Sequence, residues 1–438
     1  MLRRALSRSA LTAAVALSSL ALVACHEDPA GPTDSTDSTE QPDGAPRLAT
    51  AAGAPVSQEA KLAAAGQAHA SGADRIPGQY VVVFKDDVQD APGLARRLLS
   101  AHGASPRFTY SGAIKGFSFK LPEQAAERVA AALVRDPHVA YVEQDAVPHT
   151  DATQYFNYGD SYPDPWGLDR IDQRWLPLSG SSTYSRTGAG VRVYIIDTGL
   201  QASHPEFGGR ALVVKDVFGG SGYDCEGHGT HVAATVGGAT YGVAKGALIR
   251  GVKVLRGRNC GGSESWDAVI AGVDWVYLNR VNPAVANMSL GGGYYKPLND
   301  AVTRLANSGV FVSVAAGNDN ANACYYSPAS APGTFTVAAS TRSDYKASFS
   351  NWGGCVDAYA PGDQILSASI QPGLYGITMS GTSMASPHVA GVAALYKQAY
   401  GNAASSTIVN WLVYNATVNA IRNNVTGTPN RLLWKGSF

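Results

Sequence analysis

After about residue 150, five short and largely apolar runs recur along the chain, at 191–196, 248–255, 285–290, 310–315 and 335–339. Each is too short for a helix and too continuous for a strand with one wet face, so each reads as a strand buried on both sides. Two segments with helical spacing, 266–278 and 298–306, lie between the middle runs. Buried strands joined by helices predict an α/β fold, a parallel sheet with helices on both faces, whose functional residues gather at strand ends. A different texture precedes it. Residues 80–84, 116–119 and 139–142 read as strands, and 94–101 and 123–134 as helices. That order predicts a small α+β domain over residues 76–148 ahead of the main domain at 152–438.

Near the N-terminus the pattern changes twice. Arg3, Arg4 and Arg8 precede an apolar run from Leu11 to Ala24 that ends in small residues, which reads as an export signal over residues 1–25. The run is too short for a stable membrane anchor. Its end, Leu22-Val23-Ala24-Cys25, resembles the lipobox of bacterial lipoprotein precursors and makes Cys25 a lipidation candidate, with ordinary signal cleavage nearby as the alternative. Residues 26–75 are rich in Pro, Ser, Thr, Ala, Gly and Asp. They bury too little to order themselves and read as a linker.

Charge changes the picture mainly by exclusion. Lys plus Arg number 34 and Asp plus Glu number 34, so no global field draws nucleic acid or an anionic membrane. Of the 5 cysteines, setting Cys25 aside leaves Cys225, Cys260, Cys324 and Cys355, an even set that suits two disulfides in an oxidising compartment. None of the four forms a close Cys-x-x-Cys pair, so zinc-ligand spacing is missing.

Three segments carry candidate chemistry. Asp197-Thr198-Gly199 follows the buried run 191–196 directly, which puts a carboxylate at the carboxyl edge of the sheet; an Asp there also serves as a cap or turn residue. In Gly227-His228-Gly229-Thr230-His231-Val232-Ala233 the glycines permit close backbone approach before a helix of small residues, and we expect His231 to point from the helix start. The rival readings are a satisfied core histidine and a metal-binding pair. His228 and His231 can share a helix face, but no Glu stands between them as in H-E-x-x-H. Ser383, in Gly381-Thr382-Ser383-Met384-Ala385-Ser386-Pro387, opens a helix fit for burial; it exposes Oγ and offers its own N–H, although serines are common N-caps too.

Taken together, the order Asp, His, Ser differs from the His, Asp, Ser of chymotrypsin-like chains and the Ser, Asp, His of α/β-hydrolases. From Pro165-Trp166-Gly167-Leu168-Asp169-Arg170-Ile171 to Thr428-Pro429-Asn430-Arg431-Leu432-Leu433 the chain resembles the subtilases, in particular their proteinase K-like, aqualysin-type branch. Residues 80–85 and 139–145 resemble the inhibitor-like prosegment of such proteases. The resemblance implies a secreted serine endopeptidase with the triad Asp197, His231 and Ser383, and an oxyanion hole formed by the Asn318 amide and the Ser383 N–H. It implies a pocket walled by Ser289-Leu290-Gly291-Gly292 and Ala315-Ala316-Gly317, suited to apolar or aromatic side chains before the cut, with broad specificity. Gly262-Ser263-Glu264 matches the strand that pairs with extended substrate, and Glu264 stands where a glycine is usual, which gives either a modest preference for Lys or Arg four residues before the cut or a side chain turned to solvent that changes nothing.

The same resemblance implies structural calcium held by Pro332, Thr334 and Asp357, all oxygen donors, and the disulfides Cys225–Cys260 and Cys324–Cys355. Asp169, Asp172 and Gln173 resemble a second calcium set, yet Ser179 and Ser181 replace further acidic or amide ligands. The partners it implies are protein and peptide substrates and the chain's own propeptide, an inhibitor and folding aid removed near residues 148–152, leaving a monomeric mature form. A catalytically silent exported binding protein with this fold is the alternative. An esterase is a third reading, and the lack of Gly-x-Ser-x-Gly around Ser383 weighs against it.

Overall fold

The computed structural model describes residues 75–146, 149–150, 153–154, 165–257 and 264–438. The expected export signal at 1–25 with Cys25 and nearly all of the 26–75 linker fall outside the described residues, as do Cys260, Gly262 and Ser263.

The small unit runs β1 (Arg75–Phe84), α1 (Ala91–Ser100), β2 (Phe108–Tyr110), β3 (Gly116–Lys120), α2 (Glu123–Leu133) and β4 (Val139–Ala146). Its strands form one sheet in the order β2-β3-β1-β4. Strand side chains alternate between faces, and here both faces are covered. Val82, Phe84, Phe117 and Phe119 pack under the two helices with Leu94, Leu99, Val129 and Leu133. Val81 and Val83 point the other way, into a cluster with Trp266, Val269, Tyr295 and Leu298 of the main domain. That two-sided burial is why residues 81–84 are continuously apolar rather than alternating.

After β5 (His149–Thr150) and β6 (Thr153–Gln154) the main domain begins with α3 (Trp166–Asp172). It continues through β7 (Arg192–Asp197), β8 (Ala211–Asp216), α4 (His228–Gly237), β9 (Leu248–Lys253), α5 (Trp266–Asn279), β10 (Ala284–Met288), β11 (Leu290–Gly293) and α6 (Lys296–Asn307). The remainder is β12 (Phe311–Ala315), β13 (Tyr326–Ser327), β14 (Phe335–Ser340), β15 (Ala358–Pro361), β16 (Ile365–Ala368), β17 (Gly376–Ser380), α7 (Thr382–Tyr400), α8 (Ser405–Asn415), β18 (Thr417–Val418) and β19 (Arg431–Leu432). Nine strands make the central sheet, ordered β18-β19-β15-β14-β12-β10-β7-β9-β8. All its pairings are parallel except β18 with β19.

Strand β7 lies between β10 and β9, and its side chains divide between two cores. Val193 and Ile195 face α4 and α7 with Val232, Met384 and Val389; Tyr194 and Ile196 face α5 and α6 with Val273 and Leu298. This is the expected α/β arrangement. The chain leaves β7 at Asp197, where the carboxyl edge of the sheet opens.

Cys324 and Cys355 form a disulfide across a sequence separation of 31. Cys225 is disulfide-bonded too. Among the described residues no helix is long and apolar enough to cross a membrane.

Replacing both Cys324 and Cys355 with Ser should destabilise the fold by between about 3 and 4.7 kcal/mol in the chain-entropy account of a loop this long. Thermal unfolding of the double variant checks this, and an unchanged midpoint contradicts it.

Candidate active site

Asp197 ends β7 with its side chain wholly buried. One oxygen, Oδ1, accepts from the Thr198 N–H at 2.7 Å and lies 2.7 Å from Nδ1 of His228. The helix that brings His228 there starts at that residue, after Gly227 at φ 98°. Close approach is possible because residue 229 is Gly: a Cβ there would stand 2.3 Å from the Gly199 carbonyl oxygen. The α4 N-terminus therefore seats directly on the turn that follows Asp197.

The sequence reading placed the wrong histidine in this pair. His231 lies one helical turn further on and faces away, with Nε2 at 3.1 Å from both the Ile365 and the Ile377 carbonyl oxygens. It is a core histidine, with Nε2 answered by those carbonyls and Nδ1 buried without a protein partner. Burial pushes its pKa down to about 3, which keeps the ring neutral and a donor to those carbonyls. For His228, burial works against the charged form, but the Asp197 carboxylate outweighs it and holds the imidazole above its ordinary value. With Nδ1–H directed at Asp197, the Nε2 of His228 is buried and without a protein partner. The missed signal was position: the first residue of a helix projects beyond its end, whereas the fourth lies on its flank.

Ser383 is the second residue of α7 and is buried. Its Oγ donates to the Ser289 carbonyl at 3.2 Å. Pro387 has no N–H to give the Ser383 carbonyl four residues back, and the Ser289 hydroxyl donates to that carbonyl instead, at 2.7 Å. Beneath it, Asn287 Nδ2 donates to Ser289 Oγ at 2.9 Å, and Ser386 Oγ donates to Asn287 Oδ1 at 2.8 Å. This buried polar network holds the start of α7 against β10 and β11. Asn318 is oriented from the same helix end, because its Oδ1 accepts from Thr382 N at 2.9 Å and Thr382 Oγ1 at 3.0 Å. The fixed acceptor turns the Asn318 amide NH2 outward, and the Ser383 N–H belongs to the unpaired first turn of the helix.

Ser289, Leu290, Ala315 and Ala316 are buried around this point, with Gly291 in β11 beside them. Gly317, at φ 100°, donates its N–H to Thr382 Oγ1 at 3.0 Å. Glu264 departs from expectation. Its carboxylate turns back on the chain and accepts from Gly257 N at 2.8 Å and Arg256 N at 3.3 Å, and burial raises its pKa. A carboxylate spent this way is a poor attractor of a substrate cation.

Of the expected calcium ligands, Asp357 is buried, and its Oδ2 accepts from Thr336 N at 2.7 Å while Thr334 Oγ1 donates to Ala331 O at 2.8 Å. The second set is tied up internally. Asp169 accepts from Ser179 N and Gly180 N at 3.1 and 2.6 Å, Gln173 donates to the Trp175 and Pro177 carbonyls, and Lys435 Nζ stands 2.7 Å from Asp172. Lys435 thus already gives Asp172 a cationic partner. Among the described residues no cluster of three or more His, Cys, Asp or Glu converges on a metal position.

The Subtilase family profile matches residues 188–432. The chain belongs to the subtilase family. This subtilase is 47% identical over 383 residues, covering 82% of this chain and 90% of the relative, to an "Extracellular serine proteinase" of Thermus sp. (strain Rt41A). It is 45% identical over 333 residues, covering 74% of this chain and 81% of the relative, to "Proteinase R" of Parengyodontium album. Among solved structures, that of a cold adapted subtilisin-like serine proteinase matches at a TM-score of 0.60 and 50% identity, over 62% of this chain and 98% of that one. The subtilase is accordingly a serine protease of the subtilisin type.

His228→Ala should lower kcat on the order of 10^6-fold, the loss seen when a triad hydrolase loses its base. His231→Ala should mainly lower the melting temperature, because it opens a cavity and strands two carbonyls. Steady-state kinetics on folded protein separates the two.

Proposed function

We propose that the subtilase is a secreted serine endopeptidase made as a self-processing precursor, with Asp197, His228 and Ser383 as its triad. The Ser383 hydroxyl is a weak nucleophile until His228 Nε2 takes its proton during attack on the peptide carbonyl. His228 then returns a proton to the leaving amine. Asp197 holds the ring with Nδ1 protonated and stabilises the imidazolium. The oxyanion is met by the Asn318 amide and the Ser383 N–H, donors of a kind whose single loss raises the barrier by about 2.7 to 4 kcal/mol.

One observation carries the self-processing reading: the junction between the small unit and the main domain lies along the nucleophile on both sides. His149 and Thr150 pair antiparallel with Gly291 and Leu290 of β11, while Thr153 and Gln154 pair antiparallel with Ser380 and Met379 of β17. This is strand addition as an extended substrate would make it. Ser289, next to β11, touches Ser383 Oγ, and Ser380 is three residues before Ser383. The cut then falls between Thr150 and Thr153. Within that interval, and inside the 148–152 window expected from the sequence, we take Ala152 as the new N-terminus. Asp151 before the cut is no match for an apolar pocket; tethering offsets this, since effective molarities of intramolecular reactions reach about 10^5 to 10^8 M. On other substrates we keep the preference for apolar or aromatic residues.

Secretion is supported by the Arg-led apolar N-terminus and by the extracellular relative. For calcium, the donor set of Pro332, Thr334 and Asp357 is all oxygen and suits a hard cation; such an ion would brace the loop before β14 and take no part in catalysis. Chelation should lower the melting temperature of the native enzyme and leave that of Asp357→Asn unchanged. A silent binding protein is disfavoured by the buried, aligned Asp197–His228 pair, and covalent labelling of Ser383 by a fluorophosphonate decides between the two. Ser383→Ala should accumulate as full-length precursor, read by mass spectrometry; normal maturation in a protease-free host sinks self-processing.

The docked small unit should also respond to pH. Asp145, at the end of β4, has a buried carboxylate whose Oδ2 accepts from Gln79 Nε2 at 2.5 Å and from Asp267 N at 3.2 Å. The buried Asp267 carboxylate is held by Arg107 at 2.9 Å and Ser118 Oγ at 3.3 Å. Burial first, and then the Asp267 charge, push the Asp145 carboxyl well above the usual carboxylate range. A group whose docked value is raised takes up a proton on docking. Retention of the cleaved small unit is therefore strongest in acid and falls as pH rises above the free carboxylate value of about 4. Size-exclusion of the processed complex across pH should show this fall for the native chain and a flat profile for Asp145→Asn.

A further inference from the structure

Asp224 is buried four residues before His228, the first residue of α4, yet it is outside the triad and the oxyanion hole. Its two oxygens take five donors. Oδ1 accepts from Thr198 Oγ1 at 3.0 Å, Glu226 N at 3.1 Å and Gly227 N at 2.8 Å. Oδ2 accepts from Thr230 N at 2.8 Å and Thr230 Oγ1 at 2.6 Å. Four of these donors belong to the loop and first turn of α4, on either side of His228, and the fifth belongs to the residue that follows Asp197.

The Thr198 hydroxyl completes a closed frame. It donates to Asp224 and accepts from the Gly229 N–H at 2.9 Å, while the Thr198 N–H donates to Asp197 Oδ1. The Thr230 hydroxyl in turn accepts from Gln201 N at 3.0 Å. Lys253, at the end of the neighbouring strand β9, donates to the Thr198 carbonyl. Gly227 itself has no side chain to cap α4, so Asp224 performs that task from outside the helix, where a carboxylate also favours the helix N-terminus.

We infer that Asp224 is a positioning residue for the Asp197–His228 couple: through Thr198 it locks the two elements that bear them into one register, and its charge supports the imidazolium formed during catalysis. This rests on the triad reading above. Among the described residues, the charged and titratable groups that act on His228 include Asp197, Asp224, Glu226 and His231, with Lys253 facing Asp197 and Asp224. Of these, Asp197, Asp224 and Glu226 favour its charged form.

Two variants separate tether from charge in enzyme whose Ser383 still reacts with a fluorophosphonate. Native enzyme that fails to react sinks the triad reading itself. Thr198→Val keeps the shape and the Asp224 charge but cuts the bridge; kcat should fall about 10^2-fold, as for a catalytic group misplaced by 1 Å, with KM and the acid limb of kcat/KM in place. Asp224→Asn keeps the shape and removes the charge; its acid limb should move to lower pH along with a fall in kcat. A role confined to stability leaves that limb still. A native kcat in Thr198→Val together with a native pH profile in Asp224→Asn overturns the proposal. Should Asp224→Asn fail to mature, Thr198→Val decides alone: a reduced kcat supports the tether, and a native kcat assigns Asp224 to folding only.

Discussion

A single buried contact, Asp197 Oδ1 to His228 Nδ1, sets requirements that much of the main domain meets. A carboxylate kept from water is costly unless hydrogen-bonded; Thr198 N and His228 answer Oδ1, while Oδ2 is buried without a protein partner. Bringing His228 into reach requires α4 to seat on the turn after β7, and that seat requires glycine at 229. The position of β7 follows from the two cores, since Val193 and Ile195 anchor it to one face and Tyr194 and Ile196 to the other. A shift of one residue would exchange the faces and carry the carboxylate out of place.

The nucleophile is held by a second, independent device. Its helix begins against β10 and β11 through hydroxyl and amide groups rather than apolar packing, and Pro387 frees the carbonyl that the Ser289 hydroxyl needs. Asn318 is oriented by Thr382 of the same helix end. Ser383, Asn318 and Ser289 are therefore tied to one helix end, while Asp197 and His228 are tied to another. Ser383 Oγ donates to the Ser289 carbonyl and shares no hydrogen bond with His228 Nε2.

The small unit meets the main domain at α5 and α6 with more than apolar contact. Asp274, in α5, accepts from the N–H groups of Ser111, Gly112 and Ala113 at 3.3, 2.7 and 2.6 Å, and Tyr141 donates to Asp300 of α6. Where Asp145 meets the first turn of α5, two buried carboxylates lie beside one partly exposed guanidinium. Burial first, and then the Asp267 charge, favour the protonated form of Asp145 there.

Much of this was legible in the residue order. The apolar runs placed β7, β9, β10, β12 and β14 to within a residue or two at most ends, because a strand buried on both faces must be apolar throughout. The helical spacing found α5 and α6 for the same reason. The small unit's β2 escaped notice, since three residues carry no period. Asp197 and Ser383 stood out because each adjoins a strong periodic element. The choice between His228 and His231 did not, for both histidines lie in one glycine-framed motif, and only the direction in which a helix end points distinguishes them. The inward turn of Glu264, the demand of Asp224 for five donors and the pairing of residues 149–150 with β11 and 153–154 with β17 share that property. They arise from contacts between segments distant in the chain, so composition and period determine the fold, while tertiary packing alone decides which side chain faces which.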